Sequence, residues 1–239
     1  MKLADFRKKH DGQDIYIICS GKSCDYLSSD FFKNKLTLGV NNVYKKFPCN
    51  YLLFKEFVDK TVFEKADKNT SIFYSKHRFG DYNSPLTKPK LNEFKLDQNT
   101  MDRCIEFEHN TNSNNHVPNI TQISTLFKEN TKLMVSYSTI TSAIHLAYYM
   151  GAKNIILVGH DCCSIKNENN FEGYHDQKSL EVVWGNNIQQ AKSSYKNWVS
   201  QLAQTTEAIQ KILKEQYHVN LISLNPFVSL GKAATMVDK

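Results

Sequence analysis

Residues 138–161, STITSAIHLAYYMGAKNIILVGHD, constrain the fold more than any other stretch of this chain. A cluster of hydroxyls opens a helix that runs through Gly151 into the apolar strand Ile155-Ile156-Leu157-Val158, which stops at Gly159-His160-Asp161. A helix feeding a strand that is apolar on both faces belongs to a parallel sheet covered on both sides. Ligands of such open sheets bind beyond the carboxyl ends of the strands. The segment therefore sets a glycine, a histidine and a carboxylate where an α/β protein keeps its chemistry.

Other short apolar runs extend the pattern. Asp14–Cys19 reads as a strand entering the tight loop Ser20-Gly21-Lys22-Ser23, with a helix from Cys24 to Phe32. Strands follow at Leu36–Val40, ending on Asn41-Asn42, and at Tyr51–Phe54, ending on Lys55 and leading to a helix that reaches Lys65. Further strands are expected at Ser71–Ser75, Leu133–Val135 and Asn220–Leu224. Residues 76–119 are polar and read as an irregular flap with one strand-like island at Cys104–Phe107, and 120–128 as a short helix. Residues 162–185 lack periodicity and form the loop of a lid segment spanning 162–200. A long helix, broken near Ser200, is expected over Asn186–Glu215. With 239 residues, 41% of them hydrophobic, the chain can bury one large core, and the whole of 1–239 is read as a single α/β domain.

Composition narrows the function classes. No apolar run reaches the roughly 18 residues of a membrane span, and the start MKLADFRKKHDGQD lacks the apolar core of a signal peptide. The six cysteines are scattered without C-x-x-C pairs, which fits reduced thiols in the cytosol. The formal charge of +6 is spread along the chain, with no basic stripe and no nucleic-acid motif. A mild positive balance suits an anionic small ligand or peripheral contact with a negatively charged membrane surface.

Each polar cluster at a strand end carries a bland and a functional reading. Ser20-Gly21-Lys22-Ser23 is an ordinary strand-to-helix turn or a phosphate and ribose loop, since helix N-termini favour anions. Asn41 and Asn42 suit a turn, or the edge of a base or ribose. Ser138, Thr139, Thr141 and Ser142 are more hydroxyls than one N-cap needs, so the surplus is available for a phosphate or carboxylate. His160, Asp161, Tyr174, His175 and Asp176 supply titratable groups, with no H-x-H or H-x-x-x-H spacing for zinc. His175, between Tyr174 and Asp176, is the candidate general base, against a solvent-facing loop residue.

The ordered set IICSGKS, TLGVNNVYKKFPCNYLLFKEF and STITSAIHLAYYMGAKNIILVGHD resembles the DUF115 family. That family includes motility-associated flagellin glycosyltransferases and 6-hydroxymethylpterin pyrophosphokinase-like proteins, and it is related to the bacterial sialyltransferases of glycosyltransferase family 42. The match covers 14–60 and 134–180, with a weaker echo at 207–230.

The resemblance implies a Rossmann-like three-layer sandwich with a mostly parallel central sheet and a lid insertion. It implies a nucleotide-activated sugar donor, commonly a CMP-linked nonulosonic acid, and a glycan or protein acceptor. The family's nucleotide residues fall on Ser20, Gly21, Lys22, Ser23, Asn41, Thr141, Ser142 and Gly159, and its catalytic positions on Asp161 and His175. The first loop has lost the family's Pro and one Gly, and Lys55 stands where an Asp or Asn is usual.

The leading expectation is thus a sialyltransferase-like transferase that needs no metal where protein donors offset the leaving phosphate. One rival is pyrophosphoryl transfer to a pterin-like alcohol, with Mg²⁺ held by Asp161 and Asp176. Another is a non-catalytic nucleotide-binding protein. A homo-oligomer is compatible with either.

Overall fold

A computed structural model describes residues 1–55, 61–75, 94–110, 132–134, 138–166, 168–174, 188–225 and 230. Among them, eight parallel strands form one sheet. These are β1 (Asp14–Ile18), β2 (Leu36–Val40), β3 (Tyr51–Phe54), β4 (Ser71–Ser75), β5 (Cys104–Asn110), β6 (Lys132–Met134), β7 (Asn154–Val158) and β8 (Asn220–Ser223), in the order β6-β5-β4-β3-β2-β1-β7-β8. The architecture is an α/β, Rossmann-like fold.

From β1 the chain steps outward through β2 to β6, then returns to pair β7 on the other side of β1. That reversal is a topological switch point, and a crevice opens beyond the carboxyl ends of the strands that flank it. In register, Ile18 lies beside both Gly39 and Val158, so the chain leaves β1, β2 and β7 at one level.

The sheet is apolar on both faces, as a buried parallel sheet must be. On one face Ile15, Ile17, Leu38, Leu53, Phe73, Ile155 and Leu157 pack under helix α3 (Thr139–Tyr149) and under Ile209, Ile212 and Leu213 of helix α4 (Ile188–Tyr217). On the other, Ile18, Leu52, Phe54, Ile72 and Val158 meet Phe32, Phe47 and, from the short helix α1 (Thr61–Lys65), Phe63.

Helix α3 stops at Tyr149 rather than running on through Gly151. Ala152 N–H donates to the Ala147 carbonyl and Gly151 N–H to that of Tyr148, a Schellman closure. Its glycine stands at φ +91°, where a side chain would also strike the Asp11 backbone. The N-terminal loop finishes the capping, because Lys8 and His10 N–H groups donate to the Tyr149 and Met150 carbonyls.

Two further sequence expectations need correction. Residues 24–32 are not one helix but two 3-10 turns, Lys22–Tyr26 and Ser29–Phe32, with Leu27 extended between them. The Ser28 side chain accepts the Asp30 N–H and starts the second turn, a local bond that competes with a continuous helix. Helix α4 runs unbroken through Ser200, and its first turns occupy the end of the segment read as a lid. No Gly or Pro interrupts it, and Thr205 and Thr206 return their hydroxyls to the Gln201 and Leu202 carbonyls.

Part of the region read as an irregular flap is regular. The Asp97 side chain caps helix α2 (Gln98–Asp102), and β5 lengthens the strand-like island into an inner strand. Residues 76–93, 111–119 and all of 120–128 lie outside the described residues. Among the described residues, no helix is long and apolar enough to cross a membrane.

Candidate functional site

The loops after β1 and β7 meet at the switch point. Gly21 N–H donates to the Gly159 carbonyl at 2.8 Å, and Cys19 N–H to Val158 at 2.7 Å. Gly159 turns at φ +70°, and a Cβ there would press on the Cys24 thiol and lie 2.9 Å from the Cys19 carbonyl. A Cβ on Gly21 would overlap both the Gly159 carbonyl and the Asp161 carboxylate. Both glycines are thus required by space at one crossing point, which residue spacing alone does not reveal.

Asp161 is 3% exposed and latches this crossing. One oxygen accepts Ser23 N–H at 2.8 Å, and the other accepts the Ser23 hydroxyl and, at 3.2 Å, the Asn225 amide. Burial pushes its carboxyl above the usual range, and the two Ser23 bonds pull the other way. With three donors converging on it, Asp161 holds the β1 loop, the β7 loop and the end of β8 together. Asn225 was not singled out in the sequence. The available signal was an Asn two residues beyond a strand whose end faces the same crevice.

His160 points into the core. Its Nε2 lies 3.1 Å from the Thr206 hydroxyl, which donates to the Leu202 carbonyl, and 3.6 Å from the Cys162 thiol. Burial lowers its pKa to about 4, so it is neutral at pH 7. Lys22 pairs with Asp25 at 3.0 Å and Glu168 at 3.7 Å. Lys55 stands half-buried directly after β3.

The hydroxyls that open α3 divide their work. Ser138 is the N-cap, accepting Ile140 N–H. Thr141 donates to the Ser138 carbonyl, and Ser142, fully buried, donates to the Met134 carbonyl at 2.7 Å. Ser142, expected to line the pocket, therefore ties α3 to β6. The hydroxyl that reaches across the crevice is that of Thr139, 3.4 Å from the Asn41 amide. Asn41 adopts φ +54°, which Asn tolerates better than most residues.

Ser20, Asn41 and Asn42 follow the ends of β1 and β2, and the segment Phe171–Tyr174 packs beside them: Phe171 N–H donates to the Ser20 carbonyl at 2.9 Å and the Asn42 amide to the Tyr174 carbonyl at 3.5 Å. Tyr174 is 7% exposed. Burial raises its phenol pKa. The structure thus brings Ser20, Gly21, Asn41, Gly159 and Asp161 to one crevice and adds Thr139, Tyr174 and Asn225. His175 and Asp176 lie outside the described residues. Among the described residues, no three His, Cys, Asp or Glu side chains converge as metal ligands.

No family model matches the chain, and no curated protein matches its sequence. Two solved structures resemble its fold. One is a substituted form of the α-2,3/8-sialyltransferase CstII, and the other is a substituted form of the same enzyme in complex with CMP. Each aligns over 90% of this chain and 82% of that chain, at 14% identity and a TM-score of 0.44. The likeness is one of fold.

Proposed function

We propose that the crevice at the switch point binds a nucleotide-activated sugar, of the CMP-linked nonulosonic acid class, and that the protein transfers that sugar to a glycan or protein hydroxyl. The observation that carries the reading is the approach of the Asn41 amide to the Thr139 hydroxyl, 3.4 Å apart, where β2 ends and α3 begins, with Ser20 following the end of β1 at the same switch point. Support comes also from the sequence resemblance, whose nucleotide positions include Ser20, Gly21 and Asn41. Small, neutral, bidirectional hydrogen-bonding groups suit ribose hydroxyls and a base edge, and the start of α3 supplies positive potential for the phosphate.

In the transfer, the bond between the anomeric carbon and the phosphate oxygen breaks, and CMP leaves with its electron pair. The acceptor oxygen bonds the anomeric carbon, and a base takes the acceptor proton. His175 is the proposed base. Asp161 is a positioning residue in this scheme, since Ser23 and Asn225 already claim its oxygens. The same engagement leaves the Mg²⁺-dependent pyrophosphoryl alternative without an observation in its favour.

The test is a thermal-shift panel of CMP, CDP, UDP, GDP and ATP, with and without Mg²⁺. A ligand at 100 times its Kd stabilises the fold by about 2.7 kcal/mol. CMP or CDP is expected to give the largest shift, and Asn41→Ala to weaken CMP binding by about 1–3 kcal/mol. The largest shift from ATP with Mg²⁺, with none from CMP, would replace this reading by pyrophosphoryl transfer.

A further inference from the structure

We infer that the protein carries a second small-molecule site, apart from the crevice, that takes a compact organic anion, an apolar body bearing one carboxylate or phosphate group. The site is a cavity of about 280 Å³ between the β2–β3 connection and the end of α1. Its floor residues Phe47, Leu52 and Ala66 belong to the second core, so it lies on the face of the sheet away from α3 and α4. None of Ser20, Gly21, Asn41, Thr139, Gly159 and Asp161 lines it. The volume falls just under the roughly 300–1,000 Å³ of small-molecule pockets, which suits a single ring and its charged group rather than a nucleotide.

Both walls are fixed by the protein's own bonds. On one side the 3-10 turn Asn41–Lys45 closes as the Lys46 and Phe47 N–H groups both donate to the Val43 carbonyl at 3.0 Å. The Phe47 ring is held edge-on by Phe32 at 5.2 Å and Phe171 at 6.0 Å. On the other side the Arg103 guanidinium gathers the carbonyls at and beyond the end of α1. Its two terminal nitrogens donate to Phe63 at 3.0 Å, Asp67 at 2.9 Å and Thr70 at 3.2 Å. The Thr70 hydroxyl then donates to the Cys49 carbonyl and joins the two walls. A cavity held in this way costs a ligand little ordering.

Charge selects the ligand. Arg103 is 9% exposed and its three partners are neutral carbonyls. A buried positive charge therefore stands directly behind the Asp67–Thr70 wall, with no carboxylate on it among the described residues. Lys65 lines the cavity from the end of α1 and is exposed, without an ion-pair or hydrogen-bond partner among the described residues. Lys46, on the opposite wall, is matched by Asp25, and Lys45 donates to the Tyr174 carbonyl. The one carboxylate in the lining, that of Asp67, accepts the Asn69 N–H at 2.8 Å in its own turn. Arg103 and Lys65 together outweigh it, and a buried charge is only weakly screened. Tyr44 and Pro48 add ring surface to the lining. An anion with an apolar body satisfies both features.

The test titrates benzoate, phenyl phosphate and neutral benzamide into isotope-labelled protein and follows the backbone amides. The anions are expected to move the Tyr44, Cys49, Ala66 and Thr70 amides saturably while those of Ser20 and Gly159 stay in place. They are expected to bind roughly tenfold more tightly than benzamide, the scale of one hydrogen bond to a charged group. The tighter of the two anions tells a carboxylate ligand from a phosphate ester. Lys65→Gln, an exposed change that leaves both walls intact, is expected to weaken anion binding roughly threefold and to leave benzamide unchanged. Benzamide binding as tightly as the anions, or Lys65→Gln binding them as well as the parent, overturns the inference. So does the lack of a saturable shift at these amides at tens of millimolar probe, or a shift at the crevice amides alone. CMP at the crevice is read in a separate titration, so either site can fail while the other stands.

Discussion

Gly21→Ala is expected to destabilise the fold by about 3 kcal/mol, the scale of overpacking a well-filled core with one methyl and breaking a buried bond. The added carbon falls on the Gly159 carbonyl and on the Asp161 carboxylate, and neither is the free end of a flexible side chain. One is backbone, and the other is fixed by Ser23 and Asn225. Relief requires moving the β1 loop away from the β7 loop, which lengthens the 2.8 Å bond from Gly21 N–H. Chemical denaturation should therefore show a lower midpoint with an unchanged slope. Gly12→Ala is the comparison for glycine entropy without a clash: no neighbour lies within reach of a Cβ there, and its loss includes the strain of φ +76°, which Gly21, at φ −61°, does not carry. Equal losses in the two variants would mean that space at the crossing is not what demands glycine at position 21.

Acid is expected to unfold the protein through two buried histidines. His145, in α3, accepts the Met134 N–H on Nδ1, and His160 pairs through Nε2 with the Thr206 hydroxyl. Burial lowers the pKa of each from 6.5 to about 4. Between those values the unfolded chain binds protons that the folded chain refuses, so stability falls as pH drops from 6.5 towards 4. Each imidazole contributes up to about 3 kcal/mol to that loss. Asp161 opposes it in the lower part of the window, because its raised pKa lets the folded state take up a proton first. Urea midpoints measured from pH 7 to pH 4.5 should fall steadily, and His160→Gln, which keeps a donor for Thr206, should remove about half the slope. A stability that stays flat over this range would contradict the burial of both rings as neutral groups.

The sheet was legible in the sequence because its strands are short apolar runs with polar stops. Ile155–Val158 ending at Gly159, and Leu36–Val40 ending at Asn41, marked the crevice before any contact was known. What was not legible depends on pairs distant in the chain. The latch joins Ser23 to Asp161, 138 residues apart, and no periodicity reports such a bond. The hydroxyls at the start of α3 were visible as a cluster. Which of them faces the crevice depends on where Met134 and Ser138 offer carbonyls, and that left Thr139 rather than Ser142 opposite Asn41. Tyr174 stood out only as a titratable group, since its place beside Asn42 and Lys45 follows from the turn at Gly173. The two 3-10 turns after β1 likewise follow from one local bond, Ser28 to Asp30, which competes on nearly equal terms with a helix.

The central claim, a nucleotide site at the switch point, is tested most directly by titrating CMP into isotope-labelled protein and following its backbone amide resonances. Saturable shifts are predicted at Ser20, Gly21, Asn41, Thr139 and Gly159. The cavity lined by Lys45, Lys65 and Asp67 offers an anion lysines of its own; Lys45 also holds the Tyr174 carbonyl, so Lys65 and Asp67 serve as the comparison. Shifts confined to that cavity, or no saturable shift at the crevice at millimolar CMP, would contradict the claim.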